Sequence, residues 1–249
     1  MNNKESMFKK TLLPVEFRDV KVINSERIND NFMRLTLEGE SLKSFQSPSF
    51  DDHVKIIFTN ENEETVRRNY TPRFYDSETG RLTIDFVMHQ DGQASRWAEN
   101  VKCGEELIIA GPRLSVEISN DLPWQILIGD ATALPAINRR LETLSTNSHV
   151  DVFLLDIKML SQLMKCNAFV TVHVSANDEE FKHQIVNFDL PQGNGLVWAA
   201  GEHKLMTWLK DHVHKAKSHP KTATRITSYW RTGTDSFHEE HSEHITQKS

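Results

Sequence analysis

The hydrophobic pattern of this 249-residue chain changes once, near Leu122, and no other feature constrains the fold as strongly. From residue 17 to about residue 118, short stretches of alternating apolar and polar residues are separated by turn formers such as Ser47-Pro48 and Glu78-Thr79-Gly80. Closely spaced short strands are typical of a small antiparallel barrel or sandwich. Strands are expected at 20–23, 33–37, 53–58, 82–87 and 106–110.

After Asp121-Leu122-Pro123 the pattern becomes an alternation of buried strands and helices. Strands are expected at 124–128, 150–155, 169–174 and 196–200, and helices at 134–144, 178–186 and 204–215. Such an alternation predicts a parallel α/β layer. The chain then divides into a flexible N-terminal tail (1–16), a β domain (17–121), an α/β domain (122–234) and a polar C-terminal tail (235–249).

Composition argues against several classes of function. The formal net charge is −6, so no overall positive field is available to hold a nucleic acid. The longest apolar run, 196–200, is far shorter than the roughly 20 residues of a membrane span, and no segment resembles a leader peptide, so a cytoplasmic protein is expected. Two cysteines, Cys103 and Cys166, are too few for an iron–sulfur cluster, so electron transfer would need an organic cofactor.

Three segments carry residues suited to binding a nucleotide-like cofactor. The first is Arg68-Asn69-Tyr70-Thr71-Pro72-Arg73. In an extended strand Arg68 and Tyr70 point to one side, so Tyr70 can stack on a flat ring while Arg68 meets a phosphate. Thr71 can hydrogen-bond the edge of a heterocycle. A charged edge strand with one structural tyrosine is the alternative, which periodicity alone favours.

The second segment joins Asp85-Phe86-Val87-Met88-His89 to Ala94-Ser95-Arg96-Trp97 through a turn. The end of a strand there leads into a short helix whose free N–H groups suit a pyrophosphate, although Ser95 is also an ordinary helix cap. The third segment, Gly129-Asp130-Ala131-Thr132-Ala133-Leu134-Pro135, is expected at the carboxyl end of a parallel strand, where α/β sheets bind ligands. It lacks G-x-G-x-x-G, so a purely structural turn is the alternative.

Taken in order, these segments resemble the siderophore-interacting protein family, the flavin-dependent ferric-siderophore reductases related to ferredoxin–NADP reductases. The matching motifs are Arg68-x-Tyr70-Thr71, Asp85-Phe86-Val87-x-His89, Ala94-Ser95-x-Trp97-Ala98, Gly111-Pro112-Arg113, Gly129-Asp130-x-Thr132-Ala133-Leu134-Pro135-Ala136, Ala200-Gly201-Glu202 and Tyr229-Trp230-Arg231. The segment Asp51-Asp52-His53-Val54-Lys55 is most similar to the NADPH-dependent ferric-chelate reductase branch. The chain departs from the family at Ala131, where an acidic residue is common, and in the loop 90–93.

The resemblance implies a two-domain fold, a six-stranded antiparallel FAD-binding β-barrel followed by a parallel-sheet α/β domain that binds NADPH or NADH. FAD would be held by Arg68, Tyr70, Thr71, Asp85, Phe86, Val87, His89, Ala94, Ser95 and Trp97, with Tyr70 against the isoalloxazine. The nicotinamide nucleotide would be bound by Gly129, Asp130, Thr132, Ala133, Pro135, Gly201 and Glu202. No side chain is expected to act as a catalytic acid or base, because the cofactor carries the electron chemistry.

Many ferric siderophores are anionic, so an acidic protein needs local cations to bind them. The candidates are Lys55, Arg113, Arg225 and Arg231, and solvated surface cations are the alternative. For a 2′-phosphate on NADPH, Lys158, or Arg139 and Arg140 on the preceding helix, could supply charge, and solvated surface cations are again the alternative. His238, His241 and His244 would share a helix face and could touch a metal, and the alternative is a solvated tail.

The function expected from this resemblance is the transfer of electrons from NADPH or NADH through FAD to a ferric siderophore. Oxygen chelators hold Fe(III) better than Fe(II), so reduction frees the metal. One alternative is a general flavin reductase, or a reductase linked to reduced ferredoxin, without chelate specificity. Another is a non-catalytic siderophore-binding module.

Overall fold

The computed structural model describes residues 7–89 and 92–234, and this part of the chain contains two main sheets. The strands are β1 (Phe8–Leu12), β2 (Phe17–Asn29), β3 (Phe32–Glu38), β4 (Val54–Thr59), β5 (Thr65–Tyr70), β6 (Pro72–Asp76), β7 (Arg81–Val87), β8 (Glu106–Ala110), β9 (Leu114–Ile118), β10 (Trp124–Gly129), β11 (His149–Leu155), β12 (Phe169–Ser175), β13 (Gly195–Glu202) and β14 (Thr224–Trp230). The α-helices are α1 (Gln93–Asn100), α2 (Leu134–Thr143), α3 (Asp178–Asn187) and α4 (His203–Asp211).

The N-terminal domain is built on an antiparallel sheet with the strand order β5-β4-β8-β2-β3-β7-β6. Alternate residues such as Val54, Ile56 and Phe58 of β4 face a common core, as the sequence pattern predicts for a sheet buried on one side. The edge strands β5 and β6 are joined by Thr71 alone, so the sheet curls into a half-barrel whose two edges meet at that residue. The antiparallel architecture is confirmed, but the sheet has seven strands rather than six.

The expectation of a flexible tail over residues 1–16 is wrong for its middle part. β1 pairs antiparallel with β9, from Phe8 opposite Ile118 to Leu12 opposite Leu114. The ring of Phe8 packs against the hydrophobic core between the domains, and Lys9 pairs with Glu117 at 2.8 Å. The polar residues between Phe8 and Leu12 hide this strand in the sequence, because only the tertiary partner makes it stable.

The C-terminal domain is a parallel sheet with the order β12-β11-β10-β13-β14. Its central strands β10 and β13 are almost wholly buried, which is why they appear as continuous apolar runs. Helix α2 packs on the face toward the half-barrel, whereas α3 and α4 cover the opposite face. The parallel α/β layer is therefore confirmed. The helix expected over 204–215 is α-helical only as far as Asp211. The chain then continues as one π-helical turn over His212–Ala216.

Ion pairs and hydrogen bonds join the two domains along α2. Arg73 of β6 donates to both carboxylate oxygens of Glu142, at 3.0 and 2.6 Å. Arg139 donates to the hydroxyl and the carbonyl of Ser47, at 3.0 and 2.9 Å. These contacts set the half-barrel against one face of the parallel sheet. Among the described residues, no helix combines the length and the apolar character that crossing a membrane requires.

Candidate active site

The end of β5 places the first predicted motif where the two edges of the half-barrel meet. The half-buried ring of Tyr70 lies against Phe86, with ring centroids 4.3 Å apart, and burial raises the pKa of its phenol. Arg68 projects toward the start of α1 and donates to Gln93 Oε1 at 3.2 Å. Thr71 is buried at the junction. This arrangement places a cation, an aromatic ring and a hydroxyl beside the first turn of a helix.

The second motif forms the end of β7 and the approach to α1. The Ser95 hydroxyl donates to the Val87 carbonyl at 3.0 Å and accepts from the His89 amide at 3.3 Å. A Cβ at Gly92 would lie 2.3 Å from the exposed His89 ring, so the ring can take its present position because residue 92 has no side chain. No side chain caps the N-terminus of α1. The backbone amides of the first turn of α1, which include that of Ala94, therefore have no capping side chain as an acceptor.

The side chains of two residues of this motif make contacts within the half-barrel. Phe86 is fully buried in the half-barrel core, so its ring cannot line a bound cofactor directly. The Asp85 carboxylate forms a bidentate ion pair with Arg34, at 2.7 and 2.8 Å. The expected role of the Phe86 ring in lining the flavin is corrected accordingly, whereas the role of Asp85 stays a prediction.

Trp97 borders a cavity of about 270 Å³ between α1 and the β4–β5 turn. Its ring stacks on Phe58 at 4.2 Å, which fixes one wall. Polar side chains, including Asn60, Gln93 and Arg96, complete the lining. The cavity runs along α1 from Gln93 to Asn100, and it has aromatic and polar walls of the kind that a purine needs.

The third motif lies at the carboxyl end of β10, as predicted. Gly129 is required because a Cβ would lie 2.3 Å from the Cβ of Ala133 and 3.1 Å from the Ala200 carbonyl oxygen. Asp130 Oδ1 accepts from the Thr132 amide at 2.8 Å and from its hydroxyl at 2.6 Å. Pro135 lies in the first turn of α2. The local sequence therefore specifies a tight strand-to-helix turn.

Asp130 also binds the ends of β13 and β14, the next two strands on one side of β10. Its Oδ2 accepts from the Glu202 amide at 3.0 Å and from Trp230 Nε1 at 2.8 Å, and burial raises the pKa of this carboxyl. Gly201 adopts φ +154° beside it, and a Cβ there would lie 2.6 Å from Asp130 Oδ2. Glu202 caps α4 through the Lys204 and Leu205 amides. The predicted nucleotide-binding residues of β10 and β13 thus come together at one edge of the sheet.

A buried charge cluster connects the half-barrel with β13 and β14. Asp51 Oδ2 accepts from Trp198 Nε1 at 3.0 Å and forms an ion pair with Arg225. Burial opposes ionisation of Asp51, but the Arg225 charge outweighs it and lowers the pKa of this carboxyl. The prediction that Arg225 binds the siderophore is corrected, because its guanidinium is already committed to a buried carboxylate.

The pKa of Asp52, the next residue, is shifted in the opposite direction. Burial raises its pKa to about 6, although Oδ2 accepts from the Ser47 hydroxyl at 3.1 Å and the Ser49 amide at 3.0 Å. Its Oδ1 has no hydrogen-bond partner among the described residues. The same holds for the buried hydroxyl of Tyr229, which lies near Thr71 and Asp51. The sequence did not predict that these two atoms would lack a hydrogen-bond partner, because this depends on how the domains pack together.

The cations of α2 are largely used by the fold. Arg140 is 2% exposed and donates to Gln125 Oε1 at 2.8 Å and Asn120 Oδ1 at 2.6 Å. Its suggested role on a 2′-phosphate is therefore wrong. Arg139 is directed to Ser47, as described above. Lys158 is exposed in the connection after β11.

Two of the other siderophore-binding candidates lie at the Tyr70 end of the half-barrel. Lys55 is paired in register with Asn69 of β5 and with Ala110 at the end of β8, three residues before Arg113. Arg113 is exposed there. Arg231 is exposed just after β14. No group of three metal-ligating side chains occurs within residues 7–89 and 92–234, and His238, His241 and His244 lie outside the described residues.

Comparison with known families assigns both domains. The model of the siderophore-interacting FAD-binding domain matches residues 21–116, and the model of the siderophore-interacting protein matches residues 122–233. The "NADPH-dependent ferric-chelate reductase" of Escherichia coli (strain K12) is 29% identical over 92% of this chain and 99% of that protein.

Solved structures agree with this assignment. A siderophore utilization protein from T. fusca is 27% identical with a TM-score of 0.81, over 91% of this chain and 97% of that one. The siderophore-interacting protein SipS from Aeromonas hydrophila is 25% identical with a TM-score of 0.73, over 88% and 93%. Since both halves match in order and at nearly full length, the chain belongs to the siderophore-interacting protein family.

Proposed function

We propose that this protein is an FAD-dependent reductase that passes electrons from NADPH or NADH to a ferric siderophore and releases Fe(II). The observation that carries the proposal is that β14 links two candidate sites, because Tyr229 lies near Thr71 and Trp230 donates to Asp130. Arg68, Tyr70 and Thr71 meet the uncapped start of α1 on the half-barrel, and the Gly129–Asp130 turn lies at the carboxyl edge of the adjoining parallel sheet. The name of the Escherichia coli relative supports the same activity.

The residues of the half-barrel fit FAD. The α1 amides and Arg68 would bind the pyrophosphate, because a helix N-terminus and a guanidinium both favour anions. Trp97 and the cavity of about 270 Å³ beside it would take the adenosine end. Tyr70 would pack on the flavin ring system. The unpartnered hydroxyl of Tyr229 and the hydroxyl of Thr71 would then supply hydrogen bonds to the edge of that ring.

FAD, when bound, supplies the conversion between a two-electron hydride donor and a one-electron ferric acceptor. The protein's own residues orient the reactants. Gly129 lets β10 turn tightly into α2 beside Ala133, and Gly201 leaves room for the Asp130 carboxylate, so the two strand ends that would hold the nucleotide lie close together. The buried contacts of Asp51 and Arg225 hold β14 against the half-barrel and so keep the two sites in register.

Lys55, Arg113 and Arg231 would recruit the anionic chelate to the surface beside these two sites. Lys55 and Arg113 lie at the end of the half-barrel that carries Tyr70, so a chelate held by them would approach the flavin side. We place the reaction in the cytoplasm, where NADPH and NADH are available and where free thiols such as Cys103 and Cys166 persist.

The test is anaerobic stopped-flow absorption of the FAD-loaded protein. NADH or NADPH should bleach the bound flavin, and a ferric catecholate should then restore its colour. A Lys55→Ala/Arg113→Ala variant should leave bleaching unchanged and slow reoxidation by the anionic chelate about tenfold, which corresponds to about 1.4 kcal/mol. Lys102→Ala, a cation at the opposite end of β8, serves as the control.

Three results would contradict the proposal in different ways. A protein that neither retains FAD nor bleaches is a binding module. Equal reoxidation of the double variant and the wild type with all chelates indicates a general flavin reductase. Slow bleaching by both nucleotides, with fast bleaching by reduced ferredoxin, would assign a protein donor in place of NAD(P)H.

A further inference from the structure

The edge of the sheet next to the nucleotide turn carries one carboxylate that the proposed function leaves unused. Asp156 directly follows β11, which is paired with β10 so that Leu154 lies opposite Gly129. Its amide donates to the Ser175 carbonyl at 2.9 Å, and its Oδ1 accepts from the Lys158 amide at 2.9 Å. The carboxylate is therefore fixed at the carboxyl edge, one strand away from the Gly129–Asp130 turn.

The backbone of Asp156 has φ +100°, a value that few residues other than glycine adopt. Such strained positions persist only where the surrounding structure enforces them, and they concentrate at binding sites. The half-buried side chain accepts a hydrogen bond from the Lys158 amide, and the backbone amide of the same residue donates to Ser175. Asp156 therefore adopts a backbone conformation that glycine would adopt at a lower free energy.

The charges around this edge bear on which nucleotide it can hold. A dinucleotide whose pyrophosphate lies on the first strand-to-helix turn extends its adenosine ribose toward the end of the second strand. A carboxylate there accepts hydrogen bonds from the ribose hydroxyls, whereas a 2′-phosphate needs a cation. The two arginines of α2 are committed to Ser47 and to Gln125 and Asn120, which leaves exposed lysines such as Lys158 and Lys165 as cations in the β11–β12 connection.

We propose that Asp156 binds the adenosine ribose and makes NADH the preferred donor over NADPH. This inference rests on the nucleotide site of the proposed function and differs from the donor in the name of the Escherichia coli relative. The carboxylate gains hydrogen bonds to a free 2′-hydroxyl and repels a phosphate carrying about two negative charges at the same position.

Binding of nucleotide fragments that carry no hydride tests the assignment without turnover. Isothermal titration of the FAD-loaded protein with ADP-ribose and with 2′-phospho-ADP-ribose should show at least about tenfold tighter binding of ADP-ribose. In Asp156→Asn the ratio should fall to near unity. This variant should fold, because asparagine tolerates positive φ and keeps the oxygen that accepts from Lys158. Asp156→Gly, which removes the strain and the carboxylate, should behave likewise.

Asp121→Asn makes the same charge change at the amino end of β10 and should leave the ratio unchanged. Tighter binding of 2′-phospho-ADP-ribose by the wild type, lost in Lys158→Gln, would overturn the proposal and assign Lys158 as a phosphate ligand. A preference for ADP-ribose that persists in both Asp156 variants would also overturn it. If neither fragment binds and neither nucleotide bleaches the flavin, the nucleotide site of the proposed function fails as well. Bleaching with no preference removes only this inference.

Discussion

Neighbouring residues of the same type behave differently at the domain interface. Asp51 and Asp52 are adjacent in the sequence and both are buried, yet the pKa of one is lowered and that of the other is raised to about 6. Arg225 pairs with Asp51, while Asp52 Oδ1 has no partner in the described ranges. The sequence Asp51-Asp52 shows two acids, and only the packed structure shows which of them has a cation.

The raised pKa of Asp52 predicts a pH-dependent stability. The folded protein holds this proton to about pH 6, whereas the unfolded chain loses it near pH 4, so stability from this group falls as pH rises through that window. The loss is about 2–3 kcal/mol between pH 4 and 7.5. Asp52→Asn should remove it while keeping an acceptor for the Ser49 amide. Urea unfolding of both proteins across this pH range measures the difference.

Asp51→Asn is the control and should change stability in the opposite sense. The Asp51 pKa is lowered, so its contribution is present at neutral pH and is lost on acidification. This variant should therefore be less stable than wild type at pH 7.5 and approach it at low pH. Parallel stability curves for Asp52→Asn and wild type would contradict the assigned pKa.

At the scale of elements, the turns between strands and helices determine which groups can meet. Because residue 129 is glycine, the chain can turn tightly from β10 toward α2. The Cβ of Ala133 then occupies the space where a side chain at position 129 would lie. The sequence pattern predicted this turn and α2 correctly, because Pro135 and the apolar residues of α2 act locally. It missed β1, whose stability comes from β9, more than a hundred residues away.

Gly129→Ala should destabilise the protein by about 1–3 kcal/mol, because the added methyl lies 2.3 Å from the Ala133 Cβ. Replacing Ala133 by Gly in the same chain should restore part of the loss, since it removes the closest contact. Urea unfolding measures both variants. A Gly129→Ala protein as stable as wild type, or one that Ala133→Gly does not improve, would contradict the assigned contact.

At the scale of the whole molecule, the relation of the two domains depends on partly buried ion pairs in addition to the apolar core. Arg73 is 7% exposed and its two terminal nitrogens are satisfied by Glu142 of α2, while its Nε has no partner in the described part of the chain. Removing one partner of such a pair leaves a buried charge uncompensated. The position of the nucleotide turn relative to Tyr70 therefore depends on this contact.

Glu142→Gln should lower the free energy of unfolding by about 1–2 kcal/mol, because Arg73 is buried while Glu142 is partly exposed to solvent, and it should increase hydrogen exchange in α2 and β6. Glu179→Gln breaks an exposed pair with Lys182 at 3.6 Å and should cost less than about 1 kcal/mol. Calorimetry and hydrogen exchange by mass spectrometry provide the measurements. Equal effects of the two substitutions would show that the Arg73 pair does not hold the domains together.

The sequence by itself determined the antiparallel and parallel halves, the turn at Gly129 and the family-like order of the cofactor motifs. These features depend on periodicity and on residues close in the chain, so local pattern carries them. Tertiary structure alone decided the seventh strand, the pairing of β1, the commitment of Arg225 and Arg140 to internal partners, and the opposite pKa shifts of Asp51 and Asp52. Each of these depends on contacts between residues far apart in the sequence, and neither residue type nor spacing reveals which charge will be buried beside which.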